Sequence, residues 1–338
     1  MSTLLSEEKL RKKLVFVSDQ APGFRRKRSG KGFSYFDSKG LKIQDPETIA
    51  RIRQLVIPPQ WNDVWICAKS NGHIQAIGRD AKGRKQYIYH ADFVAFRQNS
   101  KFEKLADFAR KLPEIRSVTD EHLRRRKWDK EKVLALAVRI LDESGIRIGN
   151  RSYAKENGSI GLTTLRRKHL LLEDDEMIFS FTGKSGLKHR IRLEDPRLVR
   201  LVQKCSELPG YEVFTYLDES GKSCPVDSED VNEYIRNIAG EEFSSKDFRT
   251  WNGTSLTVFH YPNAKKLIEE DPRKKLEKVL VCQVANDLGN TPAVCRNYYI
   301  HPKVLKAVVE NAIPPFELSE PGGSLEVYEE VTLKILEA

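Results

Sequence analysis

The apolar residues change their spacing near residue 90, and that switch commits the chain to a two-part, mixed architecture. Between Lys31 and Tyr89 they fall in short alternating runs: GFSYFD, VWICAK, HIQAIGRD and QYIYH. Turn chemistry separates these runs, with Ser-Asn-Gly at 70–72 and Ala-Lys-Gly-Arg at 81–84. A short helical stretch over Pro46–Leu55 is closed by Pro58–Pro59. From Ala91 onward the spacing is helical. A first helix is expected to end at the Leu112–Pro113 step, and EKVLALAVRILDESG places Val133, Leu136, Ala137, Ile140 and Leu141 on one face before Gly145.

One β segment interrupts the helical part. In LLLEDDEMIFSFTGKSGLKHRIRLED, alternating runs flank Gly183–Gly186 and predict a hairpin with Lys184 at its tip; the acidic run Glu173–Glu176 reads as a solvated part of a strand. Asp271-Pro272 reads as the cap and first turn of a helix running to Gly289, and Thr291-Pro292 and His301-Pro302 repeat that start signal. The fold class is therefore α+β. A flexible basic arm (1–30, with Arg25, Arg26, Lys27 and Arg28) precedes a small antiparallel β domain (31–95) and a larger, mainly α domain (96–338), with the boundary within 90–115. The tail from Glu317 to Ala338 is acidic and hydrophobic by turns.

Composition narrows the partners. The chain has 338 residues and a formal charge of +10, with 39% hydrophobic residues and 15 Phe, enough to build two cores. The charge is divided: residues 1–200 hold 43 basic and 25 acidic side chains, the rest 15 and 23. Such an excess favours polyanions through counterion release. No apolar run reaches the length of a membrane span, and the charged N-terminus lacks the apolar stretch of a signal peptide. Five cysteines (67, 205, 224, 282 and 295) form no CxxC pair, so neither a zinc site nor a disulfide framework is expected. The reading is a reduced, cytoplasmic, nucleoid-associated protein.

No HExxH, Walker A or two-metal carboxylate cluster is present. Cutting a nucleic-acid strand without metal needs an attacking group, cations or donors for the non-bridging oxygens, and a proton donor for the leaving 5′ oxygen. Arg147, Lys184, Arg249, Asn290 and a tyrosine near 299 are candidates. In GRKQYIYH, Arg84, Lys85, Gln86, Tyr87 and Tyr89 interleave cations, aromatics and an amide. Strand alternation turns Gln86 away from the two tyrosines, a pattern suited to a groove contact on DNA.

Five segments in order carry a resemblance. They are RIRQLVIPPQWNDVWI with GRDAKGRKQYIYH, RIGNRSYAKENGSIGLTTLRRKHL, FTGKSGLKHRI, KDFRTWNGT and NTPAVCRNYYIHPKV, within about residues 32–311. Together they resemble the type IB DNA topoisomerases of the poxvirus and bacterial kind. The resemblance implies a catalytic domain shared with tyrosine recombinases and a C-shaped clamp around duplex DNA. It implies that Arg147 and Arg249 clamp the scissile phosphate, that Lys184 protonates the leaving oxygen, and that Lys246 touches phosphate or base. Tyr299, nine positions after Asn290, is then the nucleophile, with Tyr298 a neighbour that is packed or hydrogen-bonded locally. Asn150 and Tyr153 match DNA-contacting positions.

Many members of that family carry histidine at the position of Asn290, which can donate a hydrogen bond but cannot become a cation. His301 is out of register. The implied activity is ATP-independent relaxation of supercoiled duplex DNA through a 3′-phosphotyrosyl intermediate, with no cofactor, no obligatory metal and no protein partner, a monomer sufficing. Two alternatives stay open: a tyrosine site-specific recombinase, which usually carries HxxR where this chain has KDFR, and a non-catalytic DNA-binding module.

Overall fold

The arginine-rich segment ahead of Lys31 is a strand inside a sheet. In the computed structural model, which describes residues 7–173, 176–313 and 325–338, the chain divides into two units, Met1–Glu103 and Lys104–Ala338. The first contains α1 (Glu7–Lys13), β1 (Gly23–Ser29), β2 (Gly32–Phe36), α2 (Pro46–Gln54), β3 (Asn62–Cys67), β4 (Ile74–Arg79), β5 (Lys85–Tyr89) and α3 (Ala91–Glu103). Its strands form one antiparallel sheet in the order β2-β1-β3-β4-β5. Ile52 of α2 packs on Val64, Ile66 and Ala76, with Phe24, Tyr35 and Ile88 around them.

The expected flexible arm at 1–30 is thus corrected over its described part. Arg26 is the physical reason. Its guanidinium donates to the carbonyls of Ile57, Pro58 and Trp61 at 3.1, 3.0 and 2.7 Å and lies 4.1 Å from the Phe33 ring centroid. One cation of the basic cluster therefore satisfies the turn that Pro58–Pro59 creates, and β1 is held between β2 and β3. The division between units falls after α3, at 103/104 instead of 95/96.

The second unit begins with α4 (Leu105–Leu123), α5 (Lys130–Ser144) and α6 (Arg151–Asn157). A three-stranded sheet follows, β6 (Leu170–Glu173), β7 (Glu176–Thr182) and β8 (Lys188–Leu193), then α7 (Pro196–Glu207) and the short pair β9 (Thr215–Leu217) and β10 (Ser223–Pro225). The remainder is helical: α8 (Ser228–Ala239), α9 (Ser245–Phe259), α10 (Tyr261–Glu270), α11 (Leu276–Asp287), α12 (Pro292–Tyr298), α13 (Pro302–Val309) and α14 (Leu325–Glu337).

α4 does not stop at Pro113. Leu105, Phe108, Leu112, Ile115, Thr119 and Leu123 form one buried stripe on both sides of the proline. Burying that stripe outweighs the ~3 kcal/mol of an internal proline. The helix expected from Asp271 begins instead at Leu276, because Asp271 closes α10 and pairs with Arg273 at 2.8 Å. In the acidic run, Glu173 ends β6 and Glu176 opens β7, paired with Arg190 and Arg192 at 2.5 and 3.0 Å; residues 174–175 lie outside the described residues.

Two helices form the centre of this unit. α5 buries Val133–Val138, Ile140 and Leu141, more than one face, as a helix enclosed by α4, α7, α8 and α9 must. α9 is buried along nearly its whole length despite a polar sequence. Its hydroxyls turn inward on its own backbone, with Thr254 and Thr257 donating to the carbonyls of Thr250 and Gly253 at 2.8 and 2.9 Å, and Asn252 donates to the Asp142 carbonyl at 2.8 Å.

The acidic tail, described from residue 325, supplies α14, whose Tyr328, Val331 and Ile335 are core residues. Its Glu329 accepts from Arg116 at 2.8 and 2.9 Å and from Trp251 Nε1 at 2.8 Å, while Arg116 also holds Asp142. Glu329→Ala leaves Arg116 short of a partner and the Trp251 N–H unpaired. We expect it to cost on the order of 3 kcal/mol of stability, read as a lower urea midpoint; an unchanged midpoint contradicts this placement.

Candidate active site

Backbone turns bring three distant segments together. Gly145 ends α5 in the left-handed conformation (φ 57°) and releases the chain into the loop that carries Arg147. That loop is zipped to residues 161–164: Leu162 N–H donates to the Arg147 carbonyl at 2.9 Å and Thr163 N–H to Ile148 at 2.8 Å. Glycine is needed at the contact, since a methyl on Gly161 would sit 2.6 Å from the Arg147 carbonyl and the Gly149 backbone.

Asn290 follows α11 through a paired turn in which Gly289 (φ 56°) donates to Asn286 at 3.0 Å and Asn290 to Ala285 at 2.8 Å. Its Oδ1 then accepts from Arg147 Nη2 at 2.5 Å. Arg249, on α9, is 5% exposed. Its two terminal nitrogens donate to the carbonyls of Gly145 and Leu288, the ends of α5 and α11. Those carbonyls lack helical partners and carry the negative end of each helix dipole, so a buried cation fits there.

Tyr299 caps the short α12, with its ring centroid 5.0 Å from the Arg249 guanidinium carbon. Its carbonyl accepts from Thr254 Oγ1 at 3.1 Å, and that hydroxyl accepts the His301 N–H at 3.1 Å. Gly253 lets the segment approach: a methyl there would lie 2.6 Å from the Tyr299 carbonyl oxygen and 2.9 Å from its Cβ. Sequence reading assigned no role to Gly253 and Thr254, although both stand inside the KDFRTWNGT segment. Their signal is a small residue and a hydroxyl one helical turn beyond Arg249.

The electrostatics favour an anion. Among the described residues no carboxylate pairs with Arg147 or Arg249. Arg147 Nη1, Arg249 Nε and Asn290 Nδ2 are buried with no hydrogen-bond partner among the described residues. Burial, then the neighbouring Arg147, lowers the Arg249 pKa to about 10, with Tyr299 opposing, and the group stays cationic near neutrality. His189 on β8 is lowered to about 4 by burial and then by both arginines, so its ring is neutral. Burial pushes the Cys295 thiol up to about 12, an inert neighbour.

Arg147, Arg249, Asn290 and Tyr299 therefore meet. Lys184 does not join them: it is exposed in the turn between β7 and β8, and among the described residues no hydrogen bond or ion pair links it to the four. Lys246 is exposed in the first turn of α9, whereas Arg249 three residues on is buried. Tyr298 is 43% exposed.

In the first unit, Tyr87 and Tyr89 are 42% and 40% exposed and stack at 5.8 Å, while Gln86 lies on the other face with Ile88. Asp80 accepts from Arg84 at 2.7 Å and from Gln86 at 3.0 Å, and Arg84 holds its carboxyl down at about 2. Lys85 pairs with Asp19 at 2.6 Å. Asn150 caps α6 by accepting from Tyr153 N–H at 3.2 Å, and the Tyr153 side chain is 57% exposed.

The family model described as "Eukaryotic DNA topoisomerase I, catalytic core" matches residues 90–313, and "Bacterial DNA topoisomerase IB, N-terminal domain" matches residues 32–80. The chain belongs to the type IB DNA topoisomerases. This topoisomerase is 30% identical over 285 residues to the DNA topoisomerase 1B of Acanthamoeba polyphaga mimivirus, covering 82% of this chain and 85% of that protein. To the DNA topoisomerase 1B of vaccinia virus (strain Copenhagen) it is 26% identical over 235 residues, covering 69% and 71%. A XerH site-specific recombinase bound to a difH substrate overlaps 69% of this chain and 59% of its own at 14% identity, with a TM-score of only 0.34.

No described helix of this topoisomerase is long and apolar enough to cross a membrane, and no group of three or more potential metal ligands occurs among the described residues.

Gly253→Ala should cut DNA relaxation about 100-fold by displacing Tyr299, although alanine favours a helix by roughly 1 kcal/mol; wild-type relaxation would contradict the close approach. His189 gives a pH signature. Its pKa is lower folded than its ordinary 6.5, so its contribution to stability is complete above pH 6.5 and lost as the pH falls toward 4. The loss of stability over that window, measured by urea unfolding, should be shallower in His189→Gln; identical slopes would refute the buried neutral ring.

Proposed function

We propose that this enzyme relaxes supercoiled duplex DNA by transient cleavage of one strand, with Tyr299 as nucleophile. The Tyr299 hydroxyl oxygen attacks phosphorus and its proton passes to water. The bond from phosphorus to the 5′ oxygen breaks, and Lys184 protonates that oxygen. The products are a 3′-phosphotyrosyl link and a free 5′ hydroxyl. Arg147, Arg249 and Asn290 hold the charge that develops on the non-bridging oxygens, through Arg147 Nη1, Arg249 Nε and Asn290 Nδ2. Religation runs the same steps backwards, so phosphodiester energy is kept and ATP is not consumed.

The observation that carries this reading is a cluster that pairs Arg147 with Asn290 and Arg249 with Tyr299, in which Arg147 Nη1, Arg249 Nε and Asn290 Nδ2 are buried with no hydrogen-bond partner among the described residues. An unmet buried donor is costly, and three in one cluster suit the oxygens of a phosphate. Asn290 contributes as a neutral donor whose orientation Arg147 fixes through Oδ1. Lys184 acts from the hairpin tip, reaching the 5′ oxygen with its flexible side chain once DNA is bound.

The exposed Tyr87 and Tyr89, with Arg84, Lys85 and Gln86, are proposed to meet the groove of the duplex. Asn150, Tyr153 and Lys246 add contacts near the cut. In this reading the two units close on DNA as a C-shaped clamp, a single chain suffices, and the enzyme works in the nucleoid of a cytoplasm.

The test is relaxation of a supercoiled plasmid in EDTA without ATP. Wild type should give a ladder of relaxed topoisomers, and Tyr299→Phe should give neither relaxation nor a covalent DNA adduct. An adduct formed by the phenylalanine variant overturns the assignment, and recombinant products without a ladder would turn the reading to a recombinase.

A further inference from the structure

We propose that His189 is a positioning residue that sets the Lys184 hairpin against the Asn290 turn. The inference rests on Lys184 being the proton donor. The His189 side chain, 8% exposed on β8, stacks on Phe181 at 5.1 Å with an interplanar angle of 16°. Its Cδ2 and Nε2 edge abuts Gly183, where a methyl would lie 2.7 Å away; its Nδ1 and Cε1 edge abuts Gly289, where a methyl would lie 2.3 and 2.5 Å away. Gly183 immediately precedes Lys184, and Gly289 immediately precedes Asn290. One rigid ring therefore fixes the spacing between two backbone points, each one residue from a functional side chain.

That spacing matters because, among the described residues, no hydrogen bond or ion pair links Lys184 to the four clustered residues, while Asn290 is tied to Arg147 at 2.5 Å. The ring is what refers the lysine's backbone to the phosphate clamp. Gly289 is doubly required: its φ of 56° suits glycine, and the imidazole occupies the place of any side chain. A stiff aromatic spacer holds such a distance better than a flexible chain, and a displacement of about 1 Å at a proton donor costs ~100-fold in rate.

The chemistry of the leaving group separates this role from a merely structural one. With an ordinary substrate, the bond from phosphorus to the 5′ oxygen breaks and the oxygen needs a proton. With a 5′-bridging phosphorothiolate, the bond from phosphorus to sulfur breaks and the thiolate departs with the bonding pair. No proton is required, since thiols have a pKa near 8.5 against about 15.7 for water.

The experiment compares single-turnover cleavage of both substrates by wild type, Lys184→Ala and His189→Ala. We expect His189→Ala to cut the oxygen substrate ~10- to 100-fold more slowly and the sulfur substrate within about threefold of wild type. Lys184→Ala should show the same pattern with a larger oxygen defect. Equal slowing on both substrates, or no slowing, overturns the role of His189 while leaving Lys184 in place. If Lys184→Ala is not rescued by sulfur, the proton-donor assignment falls and this inference with it. Where His189→Ala is not recovered folded, His189→Gln keeps a polar side chain without the rigid ring, and the same comparison decides.

Discussion

The buried guanidinium of Arg249 is the constraint around which the second unit is arranged. No carboxylate among the described residues neutralises it; the carbonyl ends of α5 and α11 hold it instead. Each end must therefore stop at a fixed place, and glycines at 145 and 289 make those stops. The same two stops launch Arg147 and Asn290 into the site, so binding one cation and aiming the other two groups are a single packing problem. Tyr299 completes it by lying against the guanidinium, admitted by the missing side chain at 253.

A cation held by carbonyls and a tyrosine, with no carboxylate paired to it among the described residues, leaves a net positive, partly unsatisfied pocket. The C-terminal part of the sequence is acidic overall, yet several of its carboxylates are engaged away from the site. Glu329 binds Arg116 and Trp251, Asp247 faces Lys104 at 3.2 Å, and Glu277 holds Arg296 at 2.6 Å. Because Glu329 grips Trp251, two residues from Arg249, α14 fixes the register of the helix that carries the cation. A region with negative net charge can thus host an anion site.

How much of this was legible in the sequence differs by element. Strands β2–β5, the stop at Gly145 and the starts at Thr291 and His301 follow from alternation, caps and glycine chemistry. β1 was not legible, because GFRRKRS reads as a solvated basic arm until the carbonyls that Arg26 satisfies are known. Pro113 misled for a related reason: a local breaking signal lost to a buried stripe that continues through it. The segments named Arg147, Arg249, Asn290 and Tyr299, which the fold brings together. The close approaches at Gly253, Gly161 and His189 were not legible, since they are set by space left or filled in the folded chain. Lys184 was read at the tip of its hairpin, and it stands there, exposed.

The central claim is that the cluster of Arg147, Arg249, Asn290 and Tyr299 is where the DNA strand is broken. The most direct measurement is to trap the enzyme on a nicked or suicide duplex, digest the covalent complex and identify the DNA-bearing peptide by mass spectrometry. The account predicts a 3′-phosphate esterified to Tyr299 within NTPAVCRNYYIHPKV. Linkage to Tyr298 or another residue, or attachment through the 5′ end of the broken strand, would contradict it.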